Sequence, residues 1–265
     1  MKSNIRKLLQ QYNLRPSKRL GQNFLIDPGV LQKIIKTADI SKNDTVLEIG
    51  PGLGTLTKEL AKKAKKVIAV EKDKRLVKIL KEILKDYKNV EIIHDDVLKI
   101  KNYKIKNYKI VANIPYYLTS PLIRMFLESE NPPQEMILTI QKEVAQRICA
   151  SARMNLLAIS VQFYSQPKII SYVSKTAFWP QSKVDSAIIK IENIKKPKNI
   201  NVKKFFRIVK AGFSSPRKQL ANNLSKILKI DREEIKKALT ECRLDTQVRA
   251  ENLSIDDWIK LSSKI

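Results

Sequence analysis

The sequence is poor in the side chains that bind soft metal ions. Its 265 residues include two cysteines, Cys149 and Cys242, and one histidine, His94. The cysteines lack the short spacing of a zinc site or of a dithiol redox site. Because a zinc centre draws most of its ligands from cysteine and histidine, we expect no metal ion in the chemistry of this protein.

Long apolar runs are also absent. Residues 1–7 are not followed by the apolar core of a signal peptide, and no stretch approaches the length of a membrane-spanning helix. The 43% of apolar residues suffices for a sizeable core that needs no disulfides. These features predict a soluble protein that works in the cytoplasm and not at a membrane.

Acidic residues are scarce relative to basic ones. The chain has 52 lysines and arginines against 26 acids, a formal net charge of +26, and residues 1–26 contain six basic residues and no acid. This surplus exceeds what solubility requires. No predicted helix has an aromatic-rich apolar face opposite its lysines, which favours nucleic acid over an anionic membrane as the partner. A lysine-rich coat without a partner is the alternative that charge alone leaves open.

Short β-branched segments alternate with amphipathic segments, which predicts a largely parallel α/β sheet with helices on both faces. The predicted strands are 45–49, 67–71, 90–94, 109–112, 136–141, 157–163 and 186–191. Beyond a polar, proline-bearing link at 193–199 the pattern is only helical, and one of its helices is predicted at 217–228. We therefore predict an α/β domain at 1–196, with a basic arm at 1–26, and a helical domain at 197–265.

A glycine-rich turn, Gly50-Pro51-Gly52-Leu53-Gly54, joins the first of these strands to a helix. Glu71 ends the next strand, about 20 residues on, where an acid can bind ribose hydroxyls. Glycines also serve simple strand-to-helix packing, but the acid at this spacing favours a nucleoside cofactor. Because the last glycine is one residue nearer than in the dinucleotide fingerprint, we expect an adenosine without a pyrophosphate.

Two further strand ends carry polar side chains. Asn113-Ile114-Pro115-Tyr116 combines an amide, a backbone carbonyl that Pro115 keeps out of a helix, and an aromatic face, a combination suited to holding an adenine. Asp96 follows the preceding strand and can accept a hydrogen bond from the amine of a cofactor adenine. Both have simpler interpretations, since Asn113 to Tyr116 can be an ordinary turn and Asp96 can cap a helix or turn.

Taken in order, seven elements of the sequence resemble the ribosomal RNA adenine dimethyltransferase family. They are Gly21-Gln22-Asn23-Phe24-Leu25, Glu48 to Gly54, Glu71, Asp96, Asn113 to Tyr116, Lys183-Val184-Asp185-Ser186-Ala187, and Phe213 with Arg217-Lys218. The resemblance implies a Rossmann-like methyltransferase sheet with a small helical C-terminal domain. It also implies S-adenosylmethionine as cofactor and N6,N6-dimethylation of two adjacent adenosines near the 3′ end of 16S rRNA in the small ribosomal subunit.

The same resemblance assigns roles to individual residues. The implied cofactor contacts are Asn23, Leu25, Gly50, Gly52, Glu71, Asp96 and Asn113, and Asn113 and Tyr116 are implied to face the target base. We add Ile114 to these two as a catalytic residue, because its backbone carbonyl can accept a hydrogen bond from the target amine. We expect Lys18, Arg19, Arg217 and Lys218 to bind RNA. Lys18 and Arg19 belong to the basic arm, and Arg217 and Lys218 lie at a predicted helix start, where the helix dipole disfavours cations unless a phosphate compensates. A solvated surface is the alternative for both pairs.

The sequence departs from the family pattern in two places. The segment 149–156 is about three residues shorter than usual, which bears on target engagement, and nothing explains Tyr117 where many relatives have asparagine.

Two other functions use the same fold: macrolide-resistance methylation of large-subunit rRNA, and a binding protein without catalysis. The complete Lys183 to Ala187 segment and the intact site residues favour the small-subunit enzyme, which we expect to act as a monomer.

Overall fold

The structure, a computed structural model, describes residues 2–100 and 105–265, without the side chains of residues 2–4. The strands in these ranges are β1 Phe24–Leu25, β2 Thr45–Ile49, β3 Lys66–Glu71, β4 Val90–His94, β5 Tyr108–Asn113, β6 Met136–Gln141, β7 Gln166–Val173, β8 Phe178–Trp179 and β9 Ser186–Glu192. The α-helices are α1 Lys2–Gln11, α2 Pro28–Ala38, α3 Thr55–Lys63, α4 Lys74–Ile83, α5 Thr119–Glu128, α6 Lys142–Ile148, α7 Leu156–Gln162, α8 Val202–Gly212, α9 Leu220–Leu228, α10 Arg232–Glu241 and α11 Ile255–Lys264.

Seven strands form one mixed sheet in the order β4-β3-β2-β5-β6-β9-β7. The five strands from β4 to β6 are parallel to one another, and β9 runs antiparallel to both β6 and β7. A separate antiparallel pair joins β1 to β8. The predicted fold class, a largely parallel α/β sheet followed by a helical C-terminal region, is confirmed.

The predicted strand at 157–163 is wrong, because Leu156–Gln162 is helix α7. A short apolar run fits a buried strand and a buried helix equally well, and here the cap decides. The side chain of Asn155 accepts a hydrogen bond from the backbone N–H of Ala158 at 3.0 Å and starts the helix.

The strand that this region does contain, β7, was not predicted. It lies at the edge of the sheet, carries Pro167, and has a register shift between Ile169 and Ser171. A proline is tolerated in an edge strand because its missing N–H can face away from the ladder. The proline and the irregular register obscure the alternation that would otherwise reveal a strand.

Helix α9 begins three residues later than predicted, at Leu220 instead of residue 217. The side chain of Asn223 donates to the carbonyls of Gly212 and Ser215, at 2.7 and 2.9 Å, and closes a turn ahead of the helix. Arg217 and Lys218 lie in this turn, so the helix-dipole argument for a phosphate does not apply to them as stated.

The chain forms two compact units. The first contains residues 1–145 and 166–194, and the second contains 146–165 and 195–265. This division places the segment 146–165 with the C-terminal helices, whereas the predicted domains divide the chain once, after residue 196. The predicted boundary between two domains after residue 196 stays a prediction.

In the first unit, one apolar cluster lies between the sheet and helices α2 and α3, where Ile34, Leu60, Val111 and Ile188 are at most 1% exposed. In the second unit, aromatic rings form the centre of the packing. The rings of Phe163 and Phe205 stack at 4.1 Å between centroids, and Phe206 meets both rings edge-on. The sheet thus supplies a rigid edge in the first unit on which ligand-binding loops can be placed.

Candidate active site

A cavity lies in the first unit where β2, β3 and β5 end at the carboxyl edge of the sheet. Its lining includes every residue predicted to bind the cofactor or to act in catalysis: Asn23, Leu25, Gly50, Gly52, Glu71, Asp96, Asn113, Ile114 and Tyr116. These residues come from five separate segments of the chain. The fold therefore brings the predicted site residues together around one space.

The side chain of Glu71 is held by two backbone N–H groups, one of which belongs to the glycine-rich turn. Gly50 and Gly52 have φ values of +67° and +61°, which side chains disfavour. The carboxylate of Glu71 accepts from the N–H of Gly52 at 3.2 Å and from the N–H of Asp73 at 2.8 Å. Burial raises the pKa of Glu71, and these backbone donors act in the opposite direction. An acceptor is thus fixed beside an open backbone turn.

Gly52 of the turn packs closely against Phe24, another residue that lines the cavity. A Cβ atom built there would lie 3.1 Å from the ring of Phe24, closer than most real contacts. An adenosine needs both a backbone that can be approached closely and a carboxylate for its ribose hydroxyls, and this corner offers both. The residues present therefore fit the predicted S-adenosylmethionine.

Glu48 is a candidate site residue that the sequence reasoning missed. It is 1% exposed and lines the cavity, and its Oε2 atom has no hydrogen-bond partner within the described part of the chain. Burial raises the pKa of this carboxyl to about 8, and the charge of Glu71 adds to the rise, whereas Thr57 opposes it. An acid inside the apolar strand β2 was the available signal, since strands buried on both faces are otherwise apolar.

Asp96 lines the cavity, and its carboxylate already has two partners. One oxygen accepts from the N–H of Leu98 at 3.2 Å and caps a short 3-10 helix, Val97–Lys99. The other pairs with the ammonium of Lys72 at 2.7 Å, which lowers the pKa of Asp96. The capping role that the sequence left open is therefore real. Each carboxylate oxygen has a second lone pair, so the predicted bond to a cofactor amine stays a prediction.

The N-terminal arm is fastened to this edge through Gln22. The side-chain amide of Gln22 donates to Asp73 at 2.9 Å, and its oxygen accepts from the N–H of Ser17 at 2.7 Å. Gly21 packs against Pro115 and the ring of Tyr117, to which an added Cβ would come within 3.5 and 3.6 Å. The arm therefore contacts both the Glu71 side and the Asn113 side of the cavity.

Asn113 is oriented by the arm. Its side-chain Nδ2 donates to the backbone carbonyl of Asn23 at 3.3 Å. Because no described residue donates to its Oδ1, this oxygen is left as an acceptor for a ligand. Ile114, the next residue, is 2% exposed and also lines the cavity.

The hydroxyl of Tyr116 is turned into the protein. It lies 2.9 Å from Ser182 Oγ and 2.7 Å from Ser186 Oγ. The adjacent Tyr117 also lines the cavity but is 52% exposed. The two neighbouring tyrosines therefore differ, since one ring is fixed by hydrogen bonds and the other is open to solvent.

The four predicted RNA-binding cations are all exposed, and none forms an ion pair with a described residue. Lys18 and Arg19 precede the cavity-lining Leu20 in the first unit, whereas Arg217 and Lys218 belong to the second unit. Lys18 and Arg19 are therefore adjacent in sequence to a residue that lines the cavity. RNA binding by either pair stays a prediction.

Two general expectations concern metals and membranes. Within residues 2–100 and 105–265, no group of three or more histidine, cysteine, aspartate or glutamate side chains is arranged to hold a metal ion. No helix in the same ranges is both long enough and apolar enough to cross a membrane.

The family model for ribosomal RNA adenine dimethylase matches residues 13–265. A ribosomal RNA small subunit methyltransferase A from Dehalococcoides mccartyi strain CBDB1 is 43% identical over 266 residues, which cover 98% of this chain and 91% of the relative. The protein of the same name from Clostridium botulinum strain Langeland is 43% identical over 272 residues, covering 99% and 98%.

Two solved structures have a similar fold over most of the chain. A dimethyladenosine transferase from Plasmodium falciparum is 30% identical, with a TM-score of 0.74 over 90% of this chain and 95% of its own. The 23S rRNA methyltransferase ErmE is 26% identical, with a TM-score of 0.76 over 91% of this chain and 99% of its own.

Proposed function

The chain belongs to the ribosomal RNA adenine dimethylase family, and we propose that it dimethylates N6 of two adjacent adenosines near the 3′ end of 16S rRNA. Its substrate class is rRNA, and its methyl donor is S-adenosylmethionine. The proposal adds that the target lies in the small ribosomal subunit or its precursor, and that the enzyme works as a monomer in the cytoplasm. The observation that carries it is the cavity in which Asn113 and Tyr116 lie with Glu71 and the glycine-rich turn.

On the cofactor side, residues of this chain bind the adenosine part of S-adenosylmethionine. Glu71 accepts hydrogen bonds from the ribose hydroxyls, and Asp96 accepts one from the adenine amine. The backbone at Gly50 and Gly52 allows the cofactor to approach closely. Asn23 and Leu25 cover the same space from the arm. When bound, S-adenosylmethionine supplies a methyl group on a positively charged sulfur.

On the target side, the task is to make adenine N6 a better nucleophile. Its lone pair is delocalised into the ring, so hydrogen bonds must localise it. In the first transfer, Asn113 Oδ1 and the carbonyl of Ile114 accept hydrogen bonds from the two N6 hydrogens and favour a pyramidal nitrogen; in the second transfer, one of these acceptors holds the single hydrogen that remains. Tyr116 stacks on the adenine, which has to leave its own stack to reach the cavity. Alignment and polarisation make the neutral amine nucleophilic without prior removal of a proton, and the methylated, positively charged nitrogen then loses one proton to water.

Sequence identity to the relatives favours small-subunit rRNA as the target. The two small-subunit methyltransferases compared above are both 43% identical to this chain, whereas the 23S rRNA methyltransferase ErmE is 26% identical. The shared fold supports the chemistry for both targets. The difference in identity supports the small-subunit RNA.

To test this proposal, purified protein is incubated with labelled S-adenosylmethionine and unmethylated 30S or 50S particles. We expect label in the RNA of the 30S particle, recovered as N6,N6-dimethyladenosine after digestion. Label in 50S RNA alone would overturn the target assignment. Absence of label in both particles, with binding to 30S retained, would support a binding protein instead of an enzyme.

A further inference from the structure

The hydroxyl of Tyr116 lies between two serine hydroxyls, Ser182 Oγ at 2.9 Å and Ser186 Oγ at 2.7 Å. Ser182 is 4% exposed and Ser186 is fully buried. Both serines belong to the region of the Lys183 to Ala187 segment, for which the proposed chemistry gives no role. Their contact with a cavity residue suggests one.

The direction of these hydrogen bonds follows from a third contact. Ser182 Oγ also lies 2.8 Å from the backbone carbonyl of Val184, which can only accept, so the hydroxyl proton of Ser182 is committed there. Ser182 must then accept the proton of Tyr116. Because Tyr116 has one proton to donate, Ser186 must donate to the tyrosine oxygen. The ordered chain runs from Ser186 to Tyr116, to Ser182 and to the Val184 carbonyl.

The segment that supplies this chain is itself firmly anchored. Ser186 starts β9 and is paired with Gln141 of β6 and Val173 of β7. Asp185 accepts from the N–H of Lys175 through its side chain and from the N–H of Lys142 through its carbonyl, both at 3.0 Å. The serine oxygens are thus fixed relative to the centre of the sheet.

We propose that Ser182 and Ser186 are positioning residues that set the plane of the Tyr116 ring for the target adenine. With its hydroxyl held from both sides, the ring cannot swing about its bond to the backbone, and the phenol proton is unavailable to the base. Stacking on a fixed plane places N6 consistently beside Asn113. This inference rests on the proposed role of Tyr116 in holding the base.

The test is a mutant cycle on methyl transfer to 30S particles. We expect the Ser182→Ala/Ser186→Ala variant to lose about tenfold in kcat, the scale of a modest misplacement, with the Kd for S-adenosylmethionine within about twofold of wild type. Tyr116→Phe should lose about the same, since it keeps the ring and removes the hydroxyl. Adding the two serine changes to Tyr116→Phe should cost less than about twofold more.

Ser165→Ala is the matched control, because Ser165 is also buried and donates to the carbonyl of Val161 at 2.7 Å. It should leave kcat within about twofold of wild type. If the double serine variant does not fold, Ser182→Ala alone serves, with a kcat loss of about threefold that disappears in the Tyr116→Phe background.

Two results are decisive against the inference. Serine changes that reduce kcat equally in the wild-type and Tyr116→Phe backgrounds would show that they act on the fold and not through the hydroxyl. Serine changes without effect would overturn it too, provided that Tyr116→Ala impairs transfer. If Tyr116→Ala is itself fully active, the proposed role of Tyr116 is wrong, which is a separate failure.

Discussion

The two sides of the cavity are held together in different ways. On the cofactor side, Glu71 is fixed by backbone N–H groups only 2 and 19 residues away, at Asp73 and Gly52. On the target side, Asn113 is held by a carbonyl 90 residues away and Tyr116 by a serine 70 residues away. The Glu71 part of the cofactor side therefore forms within one strand-turn-helix unit and the next strand, whereas the target side depends on contacts between segments 70 to 90 residues apart.

This difference suggests separable functions. A change on the cofactor side should alter the affinity for S-adenosylmethionine, and a change on the target side should alter the rate of transfer. Distant residues such as Ser186 should affect the second property more than the first.

The largest expected effect on cofactor affinity is that of Glu71→Ala. Losing a charged acceptor for two ribose hydroxyls should raise the Kd for S-adenosylmethionine about 100-fold, equivalent to roughly 2.7 kcal/mol. Transfer should recover at saturating cofactor. Titration calorimetry measures the affinity, and Glu91→Ala, which removes an exposed acid paired with Lys66, is the control. A Kd within threefold of wild type would mean that Glu71 only braces the turn.

A smaller effect is expected from removing the cations of the arm. The double change Lys18→Ala and Arg19→Ala should raise KM for 30S particles about tenfold. The plot of log binding constant against log salt concentration should become less steep, by an amount that corresponds to the loss of about two phosphate contacts. The Kd for S-adenosylmethionine should not change. Lys81→Ala with Lys85→Ala removes two exposed cations of the same unit and is the matched control. Equal effects of the two pairs would indicate general charge attraction instead of a specific contact.

The smallest effect concerns the buried acid on the cofactor side. Because the folded protein keeps the Glu48 proton up to a pKa of about 8, whereas the unfolded chain loses it near 4.5, this group makes the protein less stable as pH rises from 4.5 to 8. The Glu48→Gln variant has no carboxyl group to ionise at this position, so it should not show this decrease in stability. Its advantage in Tm over wild type should grow across this range to at least roughly 2–4 °C, and level off above pH 8. Thermal melts without cofactor measure it, and a pH-independent difference would contradict the assignment.

The local unit around the glycine-rich turn could be predicted from the sequence because its signals are local. Strands β2, β3 and β4 and the position of Glu71 follow from apolar runs and turn residues within a short stretch. The resemblance to a family extended the prediction to Asn23 and Leu25 in the arm and added a cofactor contact to the role of Asn113. Glu48 was overlooked because an acid in an apolar strand is a weak signal until its burial is known.

Features that depend on distant partners could not be predicted in the same way. Nothing near Tyr116 in the sequence shows that Ser182 and Ser186 hold its hydroxyl. The segment 156–162 has an apolar run that fits helix and strand, and the cap at Asn155 is a weak signal by itself. Arg217 and Lys218 were placed in a helix because the bonds from Asn223 that close the turn are invisible in the sequence.

The central claim is that Asn113 prepares the target amine while other residues hold the cofactor. Single-turnover transfer from labelled S-adenosylmethionine to 30S particles by Asn113→Ala tests it most directly, with cofactor affinity measured on the same preparation. We predict a fall in rate of at least about 100-fold, the typical cost of losing one preorganised hydrogen-bonding group, and a Kd that remains measurable within about tenfold of wild type. Near-normal transfer by this variant would contradict the account.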